Sequence, residues 1–400
     1  MMAALNDDPV FLILLPSRMH PARNLNMKSV SIPFRMWYHI LYESEVIKGM
    51  SIPAQKPFLI RNIKRWWDLQ TMIQLEWMQI EVTTRCNASC HYCPRTTYRN
   101  CWDNRDLSFE NFKTLLPVIA YTKMVHLQGW GEPFLHPHLF EMIALAKKTG
   151  CKVGTTTNGM LLNRRRIDQL VKSGIDHIAF SMTGIGEKND LARHGTQFSR
   201  ILQTISDLVA KKRALQVETP TISIAYLLLR SHLSDIDKIV PALAENGIQQ
   251  VVISTLDFVS HKNLWNERLT PVNQAQYQEL KSIFDKLERE AEKKGIGLFY
   301  NLVLPGAEGR VCTENSRRAL FVSSDGSVSP CVFTNIPTTG SSRMIEGEEV
   351  EPKKLIFGCI ADDSLPAIWK SPNYREFRKY FGLRPHPLCR RCPKQREGSE

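Results

Sequence analysis

The sequence predicts an α/β fold built on a parallel sheet of six strands, and two observations carry this prediction. Apolar, β-branched segments alternate with amphipathic helical segments between residues 78 and 255. Each connection is also long enough for a crossover, which is how a parallel strand returns to the same edge of a sheet. Six units are too few for a complete eightfold barrel. In such folds the chemistry gathers at the C-terminal ends of the strands.

The strands are predicted at 78–84, 124–128, 152–157, 175–182, 221–228 and 249–255. The helices are predicted at 109–120, 139–148, 163–173, 198–212, 233–245 and 273–294. Ser108 is the expected N-cap of the first helix, and Pro117 should kink that helix or end it early. Glycines at positions 150, 174 and 295 are expected to end three of the helices.

Composition describes an ordinary globular chain with room for one large domain and a smaller one, at 400 residues and 43% hydrophobic content. No apolar run approaches the length of a membrane span, so no membrane partner is expected. The apolar stretch 10–15 follows two aspartates, unlike a secretory signal. We therefore expect a cytoplasmic protein. There, ten cysteines indicate metal or redox chemistry rather than disulfides.

The formal net charge of +12 raises the question of a nucleic-acid partner. The basic runs at 164–166 and 211–213 fall at predicted helix ends, which favours solvated helix faces over a nucleic-acid groove. We do not expect a nucleic acid as partner.

Three cysteines follow the first predicted strand: Cys86, Cys90 and Cys93. Thiolates so close in sequence at a strand end can converge on one inorganic centre. They would supply three of the four ligands that a [4Fe–4S] cluster normally takes, leaving one iron open. A zinc site is the alternative, although zinc usually takes two-residue spacings and a fourth nearby Cys or His. His91 would be a cramped fourth ligand between two of the cysteines.

The Cys-x₃-Cys-x-Tyr-Cys spacing resembles the signature of the radical S-adenosylmethionine (SAM) superfamily. This resemblance implies an open (β/α)₆ partial barrel, similar to part of a TIM barrel. It implies a SAM-binding [4Fe–4S] cluster and reductive cleavage of SAM to a 5′-deoxyadenosyl radical that abstracts a hydrogen atom from the substrate. It also implies an electron donor such as flavodoxin or ferredoxin. Tyr92, by its place in the motif, should lie near the adenine.

Two further segments resemble SAM-binding elements of that superfamily. Residues 129–133, Gly-Trp-Gly-Glu-Pro, resemble its Gly-Gly-Glu-Pro element with a tryptophan in place of one glycine. The resemblance implies that the backbone at Gly131 and the charge of Glu132 bind the methionine ammonium. Ser181 lies in a stretch resembling Ser-x-Asp-Gly, whose serine reaches the ribose or methionyl group. Thr183 replaces the aspartate, which leaves its role open.

Two more polar residues are candidates for the SAM pocket. Arg193 falls where related enzymes often place an arginine for the SAM carboxylate, with a solvated arginine as the alternative. Asn158 ends the third strand and could line the pocket, although Asn-Gly is also a good turn. His136 and His138 are interpreted as loop and cap residues.

A second set of cysteines lies near the C-terminus: Cys312, Cys331, Cys389 and Cys392. Before Cys331 the sequence predicts a hairpin with Asp-Gly at its turn. The arrangement resembles a shortened SPASM/twitch domain and implies a second, auxiliary [4Fe–4S] cluster with four protein ligands. A structural Cys₄ zinc site is the alternative. The other three cysteines are interpreted as packing thiols: Cys101, Cys151 and Cys359.

We therefore expect an N-terminal extension of unknown role (1–74), a radical SAM core (75–302) and an auxiliary cluster domain (303–400). The expected function is that of a radical SAM oxidoreductase or maturase acting on a peptide or protein. Radical dehydrogenation of a small, sugar-like metabolite is one alternative. An iron–sulfur electron carrier without SAM chemistry is the other.

Overall fold

The computed structural model of the chain describes residues 75–302, 310–340, 342–351, 353–380, 386–390, 392 and 394–397. The predicted extension, 1–74, lies outside the described residues. In chain order the strands are β1 (Leu75–Ile80), β2 (Ser89–Cys90), β3 (Thr122–Leu127), β4 (Lys152–Thr157), β5 (His177–Met182), β6 (Arg193–His194), β7 (Thr221–Leu228), β8 (Gln250–Thr255), β9 (Gly297–Tyr300), β10 (Arg310–Cys312), β11 (Ala319–Val322), β12 (Ser327–Ser329), β13 (Arg343–Ile345), β14 (Glu348–Val350), β15 (Gly358–Cys359) and β16 (Gln395–Glu397).

The α-helices are α1 (Pro94–Thr97), α2 (Phe109–Ile119), α3 (Leu139–Lys148), α4 (Arg164–Lys172), α5 (Glu187–Ala192), α6 (Phe198–Ala214), α7 (Ile239–Leu243), α8 (Gln274–Lys293), α9 (Leu365–Lys370), α10 (Pro372–Tyr380) and α11 (Pro387–Arg390). Short 3₁₀ helices occur at Pro133–Leu135, Arg230–Lys238, Lys262–Glu267 and Val332–Thr334.

The main sheet has the strand order β15-β12-β11-β1-β3-β4-β5-β7-β8-β9. The six strands predicted from the sequence form its centre, and all neighbours among them run parallel, which confirms the α/β class. The sheet is larger than predicted, because β9 adds to β8 and β11 adds to β1, both in parallel. Each added strand has only four residues, too short for the sequence pattern to show its pairing.

The first strand was predicted too far along the chain, at 78–84 instead of Leu75–Ile80. Beyond Ile80 the backbone leaves the sheet and pairs with the loop before α2. Thr83 forms a bridge to Asp106, and the Thr84 hydroxyl donates to the Asp103 carbonyl at 2.6 Å. The β-branched residues Thr83 and Thr84 therefore still form extended backbone, but they pair with a loop and not with a strand of the sheet.

Two helix predictions need correction. Ser108 caps α2 as predicted, accepting from the Asn111 amide, but Pro117 lies inside the helix, which continues to Ile119. The segment predicted as one helix over 233–245 is a 3₁₀ segment followed by the five-residue α7. Proline at position 241 lacks the amide that a regular helix would use there.

The two faces of the sheet differ in chemistry. On β5, Ile178, Phe180 and Met182 are fully buried among apolar neighbours. The alternate positions of the parallel strands carry buried polar side chains, including His126 and His177. A polar interior thus runs along one face of the curved sheet. Among the helices of the described residues, none is long and apolar enough to cross a membrane.

Candidate active site

The three motif cysteines lie where the chain turns back from β1. Cys90 belongs to β2, which pairs with β6 so that Cys90 stands opposite Arg193. Cys93 immediately precedes α1, and the Sγ of Cys86 accepts from the Ala88 amide at 3.4 Å. All three thiols are partly exposed and none is in a disulfide.

The thiols lie close enough to affect one another's ionisation. Burial raises the pKa of Cys86 and raises that of Cys93 to about 12, and the neighbouring Cys90 raises both further. Such thiols become thiolates when a metal centre binds them and releases their protons. Within the described ranges, no group of three or more His, Cys, Asp or Glu side chains is placed to hold a single metal ion. In a cubane, each thiolate binds a separate iron.

Two arginines border this loop, and each has a buried Nε atom with no hydrogen-bond partner in the described part of the chain: Arg95, which is partly exposed, and Arg193, which is buried. Arg95 lies close enough to Cys86 and Cys93 to oppose the rise in their pKa values. Although burial opposes the change, the charges of Cys86 and Cys90 raise the pKa of Arg193. Three thiolates beside unsatisfied cationic donors fit an anionic iron–sulfur centre with a carboxylate-bearing ligand.

Tyr92 and Arg193 are joined directly. The Tyr92 hydroxyl accepts from Arg193 Nη1 at 2.7 Å and from Thr183 Oγ1 at 2.9 Å. Thr183, which replaces the family's aspartate, therefore fixes the motif tyrosine. Burial raises the pKa of Tyr92, so its hydroxyl stays neutral at physiological pH.

Residues 129–133 lie directly against the cysteine loop. The Glu132 amide donates to the Arg85 carbonyl at 2.8 Å. A Cβ on Gly131 would lie 2.3 Å from the Thr83 carbonyl oxygen and 2.5 Å from that of Arg85. The absence of a side chain at Gly131 is thus required for the loop to contact the backbone before Cys86.

The Glu132 carboxylate connects neighbouring strand ends. It accepts from Thr157 Oγ1 at 2.8 Å, from the Asn158 amide at 2.7 Å and from the Phe134 amide at 3.2 Å. Burial raises the pKa of this carboxyl. Its contact with a SAM ammonium remains a prediction.

Asn158 reaches the cysteine loop, since its Nδ2 donates to Asn87 Oδ1 at 2.9 Å and lies 3.9 Å from the Sγ of Cys86. Ser181 is partly buried near the end of β5. His136 and His138 occupy loop and cap positions, as predicted. His136 is buried against the Leu107 carbonyl, and His138 is the N-cap of α3.

Two residues of this region were missed from the sequence. Glu81 is fully buried and accepts from the Trp130 amide at 2.9 Å and from Ser324, whose amide lies at 3.2 Å and hydroxyl at 3.0 Å. It thereby joins residues 129–133 to the C-terminal hairpin. Trp130 packs edge-on against Phe258 and Phe333, with ring centroids 5.9 Å and 6.0 Å away. A charged residue in an apolar strand was the available signal for Glu81.

The four C-terminal cysteines are brought together around one cavity: Cys312, Cys331, Cys389 and Cys392. The predicted hairpin is confirmed, with β11 and β12 antiparallel and Gly326 at a φ of +85° in the turn. Burial raises the pKa of Cys389 and of Cys392 to about 12, and neighbouring thiols add to the effect. Arg343, Lys394 and Glu314 line the same cavity, so four thiolates there would lie beside two cations and one carboxylate.

The remaining thiols differ partly from prediction. Cys151 is buried, as expected. Cys101 is exposed and Cys359 only partly buried, so the packing interpretation is wrong for Cys101 and incomplete for Cys359. Both lie in short loops or edge strands whose exposure the sequence pattern does not report.

A second cavity, of about 230 Å³, lies in the polar interior of the sheet; we call it the chamber. Its lining combines residues of the parallel strands with Glu314, Phe333 and Lys394, which also line the cavity of the four cysteines. Lys394 forms ion pairs with Asp257 at 3.1 Å and with Glu314 at 3.4 Å. Although burial alone would lower the pKa of Lys394, these two carboxylates raise it, so Lys394 stays charged.

Comparison with known proteins gives two family matches and several relatives. Residues 80–240 match the radical SAM superfamily, and residues 312–393 match SPASM, an iron–sulfur cluster-binding domain. The tungsten-containing aldehyde ferredoxin oxidoreductase cofactor-modifying protein of Pyrococcus furiosus is 25% identical over 332 residues, covering 80% of this chain and 87% of the relative. The PqqA peptide cyclase of Gluconobacter oxydans is 24% identical over 324 residues, covering 79% and 82%.

Among solved structures, Streptococcus suis SuiB bound to S-adenosylmethionine superposes with a TM-score of 0.57 at 13% identity. The match covers 87% of this chain and 78% of SuiB. At this identity the likeness shows the fold, and it agrees with the predicted partial barrel.

Proposed function

This chain belongs to the radical SAM superfamily and carries a SPASM iron–sulfur domain, and from that premise we propose that it is a maturase that oxidises a peptide or protein. A radical SAM domain implies a [4Fe–4S] cluster and SAM, and a SPASM domain implies further iron–sulfur clusters. When bound, the cluster and SAM supply a 5′-deoxyadenosyl radical that abstracts a hydrogen atom from the substrate.

We assign Cys86, Cys90 and Cys93 to the SAM-binding cluster. The Nε atom of Arg193, which has no hydrogen-bond partner among the described residues, is suited to the SAM carboxylate, because a guanidinium group can donate to both oxygens of a carboxylate. Tyr92 and Thr183 hold Arg193 in that position through the hydroxyl contacts. The SAM pocket would be completed by the other predicted residues: Gly131, Glu132, Asn158 and Ser181.

The auxiliary cluster is assigned to Cys312, Cys331, Cys389 and Cys392. The observation that carries the proposal is the shared wall between the chamber and the cavity of these four thiols. A substrate group in the chamber would lie beside the auxiliary centre, which, when bound, could accept an electron from the oxidised substrate. The similarity to a PqqA peptide cyclase supports a peptide as the substrate.

We propose the predicted limits for the two domains, a core over 75–302 and an auxiliary domain over 303–400; the family matches at 80–240 and 312–393 fall within these limits and support them. We further propose a cytoplasmic location, supported by the proposed use of seven of the ten cysteines as cluster ligands rather than in disulfides. A flavodoxin or ferredoxin is proposed as the electron donor.

Anaerobic reconstitution with iron and sulfide counting tests the assignment of the cysteines. We expect about eight irons per chain, falling to about four in the Cys86→Ala/Cys90→Ala/Cys93→Ala variant. The exposed Cys101→Ala variant is the matched control and should keep about eight. A wild-type count of about four that the triple substitution leaves unchanged would refute the two-cluster assignment.

Peptide oxidation is tested by supplying the reduced, reconstituted protein with SAM and with synthetic peptides encoded by neighbouring genes. A peptide that is a substrate should increase the yield of 5′-deoxyadenosine over that without peptide. The mass of the peptide should decrease by that of two hydrogen atoms. If 5′-deoxyadenosine forms but only a small polar metabolite loses hydrogen, the metabolite alternative replaces the peptide proposal. If SAM is never cleaved, the chain acts as an electron carrier instead.

A further inference from the structure

The chamber has a lining chemistry that the proposed function does not by itself explain. Three glutamine amides, three hydroxyls and two imidazoles line it, together with apolar side chains such as Phe299 and Phe333. The two charged lining residues, Glu314 and Lys394, are paired with each other. The chamber is therefore polar without an unpaired charge among its described lining residues.

The two imidazoles are built into this lining as neutral groups. His126 is 3% exposed, and its Nε2 lies 2.9 Å from Thr156 Oγ1. His177 is 4% exposed, and its Nε2 lies 3.1 Å from Ser223 Oγ. Burial lowers the pKa of His126 to about 4, partly offset by the nearby Gln128 amide, and lowers that of His177 to about 3. Each is therefore neutral at physiological pH.

His126 also has unused hydrogen-bonding capacity. Its Nδ1 is buried and has no partner at hydrogen-bond distance among the described residues. Burying a polar atom without a partner is unfavourable, so a ligand that reached this atom would recover that free energy.

These observations discriminate between kinds of occupant. A charged group would lose its hydration on entering the chamber, and an anionic group would also face the net negative charge of Lys394 with its two carboxylates, Asp257 and Glu314. An apolar group would leave the amides, hydroxyls and imidazoles without partners. An uncharged group with both donors and acceptors avoids both penalties.

We propose that the chamber binds an uncharged polar side chain of the substrate peptide, bearing a carboxamide or a hydroxyl, with the His126–Thr156 and His177–Ser223 pairs as its specificity determinants. This inference rests on the proposed peptide substrate. At about 230 Å³ the chamber accommodates a single side chain rather than a folded segment.

The test uses the full-length reconstituted protein under anaerobic conditions and ligand-observed NMR titration. The probes are N-acetyl amides of asparagine, serine, leucine, aspartate and lysine, together with glucose. We expect the asparagine and serine probes to bind at least threefold more tightly than the other four. Equal binding of the leucine probe, tightest binding of a charged probe, or no binding of any probe would overturn the inference. Tightest binding of glucose would overturn the peptide source.

Variants locate the binding. His126→Phe and Thr156→Val should each weaken binding of the asparagine probe about threefold to tenfold, the loss of one net hydrogen bond, and leave the leucine probe unchanged. His126→Asn, which keeps a polar group, should recover part of the affinity. His138→Phe is the matched control, because His138 is a half-exposed cap residue. Unaltered binding in both chamber variants, with thermal midpoints near wild type, would refute the assignment.

The outcome is separable from that of the proposed function. If the asparagine preference holds while no peptide is oxidised, the function fails and the chamber chemistry stands. If SAM is cleaved and a peptide is oxidised while the preference is absent, the chamber inference fails alone.

Discussion

Replacing Glu81 should loosen the contact between residues 129–133 and the auxiliary hairpin. The Glu81 carboxylate has one oxygen on the Trp130 amide and the other on Ser323 and Ser324. In Glu81→Gln only one carboxamide oxygen remains as an acceptor. The serine hydroxyls can rotate to accept from the new NH₂ group, but one backbone amide, of Trp130 or Ser324, is left buried and unsatisfied.

That single unsatisfied amide should cost about 1 to 3 kcal/mol of stability. Glu81→Ala removes both acceptor oxygens and should cost more. We expect a lower thermal midpoint by anaerobic scanning fluorimetry and a raised Kd for SAM by isothermal titration, since residues 129–133 lie against the cysteine loop.

Glu141→Gln serves as the control, because the Glu141 side chain is more than half exposed. If Glu81→Gln matched this control in thermal midpoint and in SAM affinity, Glu81 would not couple the loop to the hairpin, and the reasoning would fail.

Three further changes have defined outcomes. Gly131→Ala should lower iron content and SAM affinity, because its Cβ would lie 2.3 Å from a carbonyl oxygen. Gly174→Ala is strained by its φ of +70° but meets no neighbouring atom, so it should lower stability and keep its iron. Lys394→Met should destabilise the described C-terminal segment by about 3 to 5 kcal/mol, because it leaves the buried Glu314 and the partly buried Asp257 carboxylates uncompensated; faster limited proteolysis there would show this. Below about pH 6.5 the unfolded chain binds protons at imidazoles that stay neutral in the folded protein. The free energy of unfolding measured in urea should therefore decrease as the pH is lowered. The expected decrease is about 1.4 kcal/mol per pH unit for each of His126 and His177, until the pH reaches their folded pKa values. His126→Gln should remove about half of that slope, and an unchanged slope would contradict the burial argument.

The sequence by itself determined the α/β class, the order of the six central strands and the motif cysteines. Hydrophobic period and cysteine spacing are local properties, and β4 and β7 have the very limits that the pattern indicates. These local patterns did not predict features that depend on residues distant in the sequence. The end of β1 depends on the loop before α2, and β11 joins β1 from far along the chain.

Only the tertiary structure decided what the polar residues do. Glu81, Arg193 and Lys394 acquire their roles from contacts with residues up to 243 positions away, as Glu81 does with Ser324. Likewise, the chamber exists because residues of seven parallel strands face one interior, and the C-terminal domain supplies part of its lining. Spacing in a sequence reports which side chains share a face, whereas burial, pairing and the shape of a cavity depend on which faces the fold brings together.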